Sequence, residues 1–152
     1  ARHILFQIED TVLVCRRLEG EFVAYRKAIP RNNPIQVECG ARALRASIDR
    51  VSLIISEKLK SPLRCQFGDG MVFITTKTGI GDASDQCPIT GDGQNLEIGF
   101  NNKYLMDTLN AAPADRLKLE LSSGTAPCLV LPTEGEENFL YMVLPLRLKA
   151  GN

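Results

Sequence analysis

An excess of charge is the first thing missing: eighteen Lys and Arg are matched by eighteen Asp and Glu over 152 residues. A chain that grips phosphates by bulk positive potential is thereby excluded, and any contact with nucleic acid must be local or topological. Metal-ligand spacing is missing too. The cysteines, Cys15, Cys39, Cys65, Cys87 and Cys128, are odd in number, far apart and without a Cys-x-x-Cys pair, which argues against zinc and against a disulfide framework and reads as buried thiols in a reducing cytoplasm. The lone histidine, His3, has no nucleophile or metal partner near it in sequence and makes a poor general base. No apolar run approaches the roughly 20 residues of a membrane helix. The opening Ala1-Arg2-His3-Ile4-Leu5-Phe6 lacks the parts of a secretory signal, and a start at Ala rather than Met suggests a processed chain or a piece of a longer one.

What is present is an ordinary globular composition. With 44% apolar and 24% charged residues, disorder is excluded and one domain, or one and a fraction, can bury a core. Runs at His3–Glu9 and Val12–Leu18 around Asp10-Thr11 predict a hairpin, followed by a connector over residues 20–33 with aromatic anchors at Phe22 and Tyr25. Ile35–Cys39 predicts a strand. Residues 40–56 have helical spacing, because Leu44, Ile48, Val51 and Ile55 form one stripe opposite Arg42, Arg45, Asp49 and Ser52. Leu53 and Ile54 fall off that stripe. Leu63–Phe67 and Met71–Thr76 around Gly68-Asp69-Gly70 read as a hairpin, Ala83–Ile89 as a weaker strand before a turn at Gly91-Asp92-Gly93, and Leu96–Phe100 as a further strand. Asn101 is the expected cap of a helix to about Ala111, with strands at Leu117–Leu121, Cys128–Leu131 and Phe139–Leu144 after it. The Gly-Asp turns lack the ligand spacing and terminal Glu of a calcium loop, and Glu134–Glu137 reads as a solvated loop.

The order contains a repeat. Ile35-Gln36-Val37 lies over Leu96-Glu97-Ile98, and the same offset matches Arg42 with Lys103, Leu44 with Leu105, Ser47 with Thr108 and Ile48 with Leu109. Each copy reads strand, helix, then three strands, so two such units should set their helices side by side against sheets. The chain end, Asn138 to Leu148, carries many large apolar groups interrupted by Pro145, which cannot donate to a ladder. Such an end either is packed into a groove or helps to form one.

The repeat, the segment Glu21–Pro30, the run Ile54–Lys58, the Glu97-Ile98-Gly99-Phe100-Asn101 motif with Tyr104, and the ending Tyr141-Met142-Val143-Leu144-Pro145-Leu146-Arg147-Leu148 resemble the bacterial DNA polymerase III beta subunit family, the sliding clamps. The resemblance implies an α+β DNA-clamp fold, with residues 1–33 as the last hairpin and connector of a second clamp domain, 34–148 as a third domain and 149–152 as a tail. It implies the C-terminal part of a non-catalytic processivity factor that needs no cofactor, encircles duplex DNA as a ring-shaped homo-oligomer in the cytoplasm at the nucleoid, and tethers DNA polymerase III alpha, other polymerases, the clamp loader and mismatch-repair proteins. A short stand-alone clamp-like module that binds clamp partners or closes its own ring is the alternative.

Residue by residue, the resemblance places a partner-peptide pocket at Val23, Lys27, Ala28, Leu59, Asn101, Tyr104, Thr125, Pro127 and the tail Met142, Val143, Leu144, Pro145, Leu146, Arg147 and Leu148. Residue types alone leave open that Leu144 and Leu146 simply close the core. Val23, Lys27 and Leu59 stand where the familiar clamps commonly carry Pro, Arg and an aromatic, which removes a planar donor and a ring and shifts the expected peptide preference. Arg42, Arg45 and Lys103 match positions that face DNA, against the plain alternative of a solvated helix face. Leu53, Ile54, Asp82 and Asp85 match the interface between subunits, against the alternative that Leu53 packs under a loop.

Overall fold

A computed structural model describes residues 2–56, 61–133 and 138–148. The chain opens with β1 (His3–Ile8) and β2 (Thr11–Arg16), paired antiparallel from His3↔Arg16 to Ile8↔Thr11. This hairpin is a sheet of its own. Ile4, Phe6 and Leu13 share one face by register and alternation, and all remain exposed. The connector holds a single 3-10 turn, Tyr25–Lys27, where Phe22 meets Tyr25 edge to face at 6.0 Å between ring centroids.

The rest is a mixed α+β unit. β3 (Ile35–Gly40) leads into α1 (Ala41–Ser52), then β4 (Leu63–Thr78), β5 (Gly81–Phe100), α2 (Asn102–Ala111), β6 (Arg116–Leu121), β7 (Cys128–Pro132), β8 (Tyr141–Val143) and β9 (Pro145–Leu146). Seven of these strands form one sheet in the order β4-β5-β3-β6-β7-β8, with β9 on β5. The helical stripe is as expected. Leu44, Ile48 and Val51 are buried on α1, and each contributes about 1.5–3 kcal/mol relative to exposure. Leu105 and Leu109 are their counterparts on α2, and both rows face the strand residues Val37, Ile74, Ile98, Leu117 and Val130 in one core.

Two expectations need correction. The Gly68-Asp69-Gly70 and Gly91-Asp92-Gly93 segments do not reverse the chain. β4 and β5 run through them as long partners, and the reversal comes between Thr78 and Gly81. Both segments are register shifts, with Asp69 opposite Asp92 and Gly70 and Gly91 in the left-handed region at φ 72° and 102°. The glycines permit a bulge as readily as a turn, and when both strands bend at one level the ladder continues past them. The first helix also stops earlier than its apolar pattern. Ser52 is its last residue and Leu53 its C-cap, with the Ser52 Oγ 2.5 Å from the Ile48 carbonyl oxygen one turn back.

Candidate functional site

The end of β5 sets the geometry. Phe100 is buried and Asn101 leaves the strand in an extended conformation, φ −72° and ψ 119°, before α2 begins. Its Oδ1 accepts from the Tyr104 backbone N–H at 3.3 Å, which satisfies one of the helix's orphan donors. Tyr104, pinned in the first turn, turns its ring outward and is 63% exposed. The Ser52 Oγ lies 2.7 Å from the Asn102 side chain and ties the end of α1 to the start of α2.

The tail completes the arrangement. β8 pairs with β7, and the chain then crosses at Leu144 so that Pro145 and Leu146 lie opposite Phe100 and Gly99 of β5. The Tyr141 hydroxyl donates to the Ala111 carbonyl at 3.0 Å, which fixes the tail to the far end of α2. Between the exit of α1, the start of α2 and β9 lies a cavity of about 560 Å³. Ile55 and Leu146 supply apolar wall, Tyr104 a ring, and Ser56, Ser61, Asn101, Asn102 and Lys103 polar groups. A concave site of this size, part apolar with a few converging polar groups, suits an extended ligand with a bulky anchor.

Of the residues expected at a pocket, the structure brings Asn101, Tyr104 and Leu146 together there. Leu144 is exposed beside them, so it does not close the core, and Arg147 is exposed while Pro145 and Leu148 are half-buried. Val143 is 3% exposed; it belongs to the core because alternation along β8 turns it inward, and it offers no wall to a partner. Met142 is half-buried, and Thr125 and Pro127 lie in the turn before β7. Val23, Lys27 and Ala28 stand on the exposed connector and do not line the cavity. Leu59 lies outside the described residues. The wall residues Ile55, Ser56, Ser61 and Asn102 were not anticipated; the apolar run at the end of α1, whose helix stops too early to bury it, was the available signal.

The three cations expected to face DNA stand in different settings. Arg42 is almost free in solvent, with its side chain 86% exposed and Asp115 at 3.7 Å. Lys103 lies on the cavity wall. Arg45 is half-buried and engaged within its own chain: one terminal nitrogen donates to the Leu109 carbonyl at 2.9 Å, and its Nε is buried without a hydrogen-bond partner. At the expected interface, Leu53 is 80% exposed, Ile54 half-buried and Asp82 exposed. Asp85 is engaged within its own chain, because Arg50 Nε contacts it at 2.5 Å. That hydrogen bond, with a second from the Gln86 N–H, holds the Asp85 carboxyl below the usual carboxylate range.

Among the described residues nothing looks like a reacting centre. Burial pushes the Cys39 and Cys65 thiols up to about 12 and raises Cys87 and Cys128 as well, so none of these four is a ready nucleophile. Among the same residues, no group of three or more His, Cys, Asp or Glu is placed to hold a metal, and no helix is long and apolar enough to cross a membrane.

The family model for the C-terminal domain of the DNA polymerase III beta subunit matches residues 26–147. The beta sliding clamp of Synechocystis is 30% identical over 152 residues, covering 95% of this chain and 37% of the relative. The solved DNA polymerase III beta subunit of Pseudomonas aeruginosa superposes with a TM-score of 0.89 at 26% identity, over 97% of this chain and 40% of that one. A sliding clamp of Bartonella birtlesii bound to griselimycin superposes with a TM-score of 0.88 at 26% identity, over 97% and 39%. The chain therefore spans well under half the length of the relatives it matches.

Proposed function

The chain belongs to the DNA polymerase III beta subunit family, in its C-terminal domain, and from that premise we propose that it is the part of a sliding clamp that receives partner peptides. In this reading the clamp is a processivity factor without catalytic chemistry of its own. It encircles duplex DNA, and polymerases, the clamp loader and repair proteins dock short extended apolar segments into the groove between the start of α2 and β9. The observation that carries the reading is the 560 Å³ cavity, in which Asn101 and Tyr104 at the start of α2 meet Ile55 from beyond α1 and Leu146 from β9. Residues 1–33 are the end of a preceding clamp domain and residues 34–148 a third one. The separate sheet of the hairpin supports that division, and the family match, which begins at residue 26, takes the end of the connector together with the third domain. Exposed Leu53, with Ile54 beside it, serves the contact between subunits, and Arg42 meets phosphates loosely enough to permit sliding.

Griselimycin, carried by the Bartonella birtlesii relative, is proposed to occupy the same groove here. Calorimetric titration of the 152-residue chain with griselimycin tests this. Saturable binding that Tyr104→Ala weakens by about tenfold or more supports the reading, since an aromatic anchor in a cleft commonly carries about 1.4 kcal/mol or more. No binding, or equal binding by wild type and Tyr104→Ala, would overturn it.

A further inference from the structure

We infer that Gly99 and Gly124 are positioning residues of the groove: each is glycine because a main-chain segment lies where its side chain would be. The inference rests on the groove reading for its functional consequence, and on geometry alone for its structural one. Gly99 is the last but one residue of β5, opposite Leu146 of β9. A Cβ built on it would stand 2.7 Å from the Leu146 carbonyl oxygen and 2.6 Å from Leu148 Cδ2. Leu148 could turn aside, but the carbonyl belongs to the strand itself. Gly124, in the turn between β6 and β7, has the same relation to the other end of the segment: its Cβ would meet the Glu97 carbonyl oxygen at 2.6 Å.

Neither glycine has a left-handed φ, so backbone conformation does not require either of them. Ordinarily an alanine at such a position is tolerated or mildly stabilising, because it restricts the unfolded chain. Here the reason for glycine is close approach alone. The segment Glu97–Phe100 is thus a seat for two separate pieces, the tail through Gly99 and the 122–127 turn through Gly124, and it runs directly into Asn101 and Tyr104. β9 is held on β5 by only two register positions, whereas β5 is paired with β4 along its length. A side chain at position 99 therefore displaces the weaker partner. The tail lifts away, taking Leu146 from the cavity wall, while β5 stays in place.

The test compares Gly99→Ala and Gly124→Ala with Gly79→Ala, where no atom lies within 4 Å and φ is not left-handed. Two readouts are taken on the whole chain: backbone chemical shifts of residues 123–127 and 144–148, and affinity for griselimycin. In Gly99→Ala the shifts of 144–148 should move toward random-coil values with cooperative unfolding retained, and affinity should fall by roughly tenfold or more. Gly124→Ala should move the 123–127 shifts and weaken binding without releasing the tail, and it decides the matter independently if Gly99→Ala does not fold. Gly79→Ala should match wild type in both. Should wild type fail to bind griselimycin, the groove reading fails, and the shifts alone still judge the seat. Native tail shifts in Gly99→Ala together with native turn shifts in Gly124→Ala, or affinities equal to wild type in both variants when wild type binds, would overturn the inference.

Discussion

Arg45→Met should destabilise the protein through α2, a helix that Arg45 does not belong to. The guanidinium donates to the carbonyl of Leu109, in a last turn that carries no basic residue of its own. A hydrogen bond from a charged donor contributes about 1.5–3 kcal/mol, and a cation at a helix C-terminus adds about 0.3–1 kcal/mol. Against this, the buried Nε lacks a partner, and an unsatisfied buried donor costs about 1–3 kcal/mol, which Met removes. Met also preserves most of the apolar stem. The balance is a loss of about 1 kcal/mol, which at a urea slope of about 2 kcal/mol/M lowers the midpoint by about 0.5 M. Urea unfolding at constant slope measures it, and amide exchange should quicken in the last turn of α2 before it does in α1. A midpoint equal to wild type with α2 protection unchanged would refute the reasoning and return Arg45 to the solvent-facing set.

Two further predictions follow from the same geometry. Native chain should react with a thiol reagent at Cys15 alone, because the other four cysteines are buried and their thiols are held above the ordinary value; all five should react in denaturant, and fast native labelling of a second thiol would contradict the packing. Asp85→Asn should lower stability slightly at neutral pH, because the Arg50 contact depresses the Asp85 carboxyl. A depressed acid contributes above its unfolded pKa of about 3.9 and loses that contribution as pH falls through the lower folded value. The gap between Asp85→Asn and wild type should therefore be constant while the pH stays well above the unfolded value and close as the pH falls through the lower folded one. A gap that persists in acid would point to another cause.

Local patterns were legible in the sequence where they had one outcome. The stripe of Leu44, Ile48 and Val51 could face only a core, and Asn101 before an apolar helix is a ready cap for it. The Gly-Asp-Gly segments had two outcomes, turn or bulge, and the choice depends on whether the partner strand bends at the same level, which is a non-local fact. The same limit applies at the site. Asn101, Tyr104 and Leu146 were named from motif resemblance, but the partners that fix Arg45 and Asp85, namely Leu109 and Arg50, lie 64 and 35 residues away in the chain. A charged side chain on a helix face looks the same in sequence whether it meets solvent, a phosphate or a neighbouring carbonyl. Val143 shows the converse: it is one of a row of similar apolar residues, and the short pairing of β8 with β7 buries it in the core, with Tyr141 packed partly buried against the same core.

The central claim is that one groove, between the start of α2 and β9, receives the partner peptide. Mapping backbone amide shifts of the 152-residue chain during a griselimycin titration tests it most directly. The expected shifts form a contiguous set at Ile55, Asn101, Tyr104 and Leu146, with the β1–β2 hairpin and Arg42 unmoved. Shifts confined to the exposed apolar face of that hairpin, with the groove silent, would contradict it.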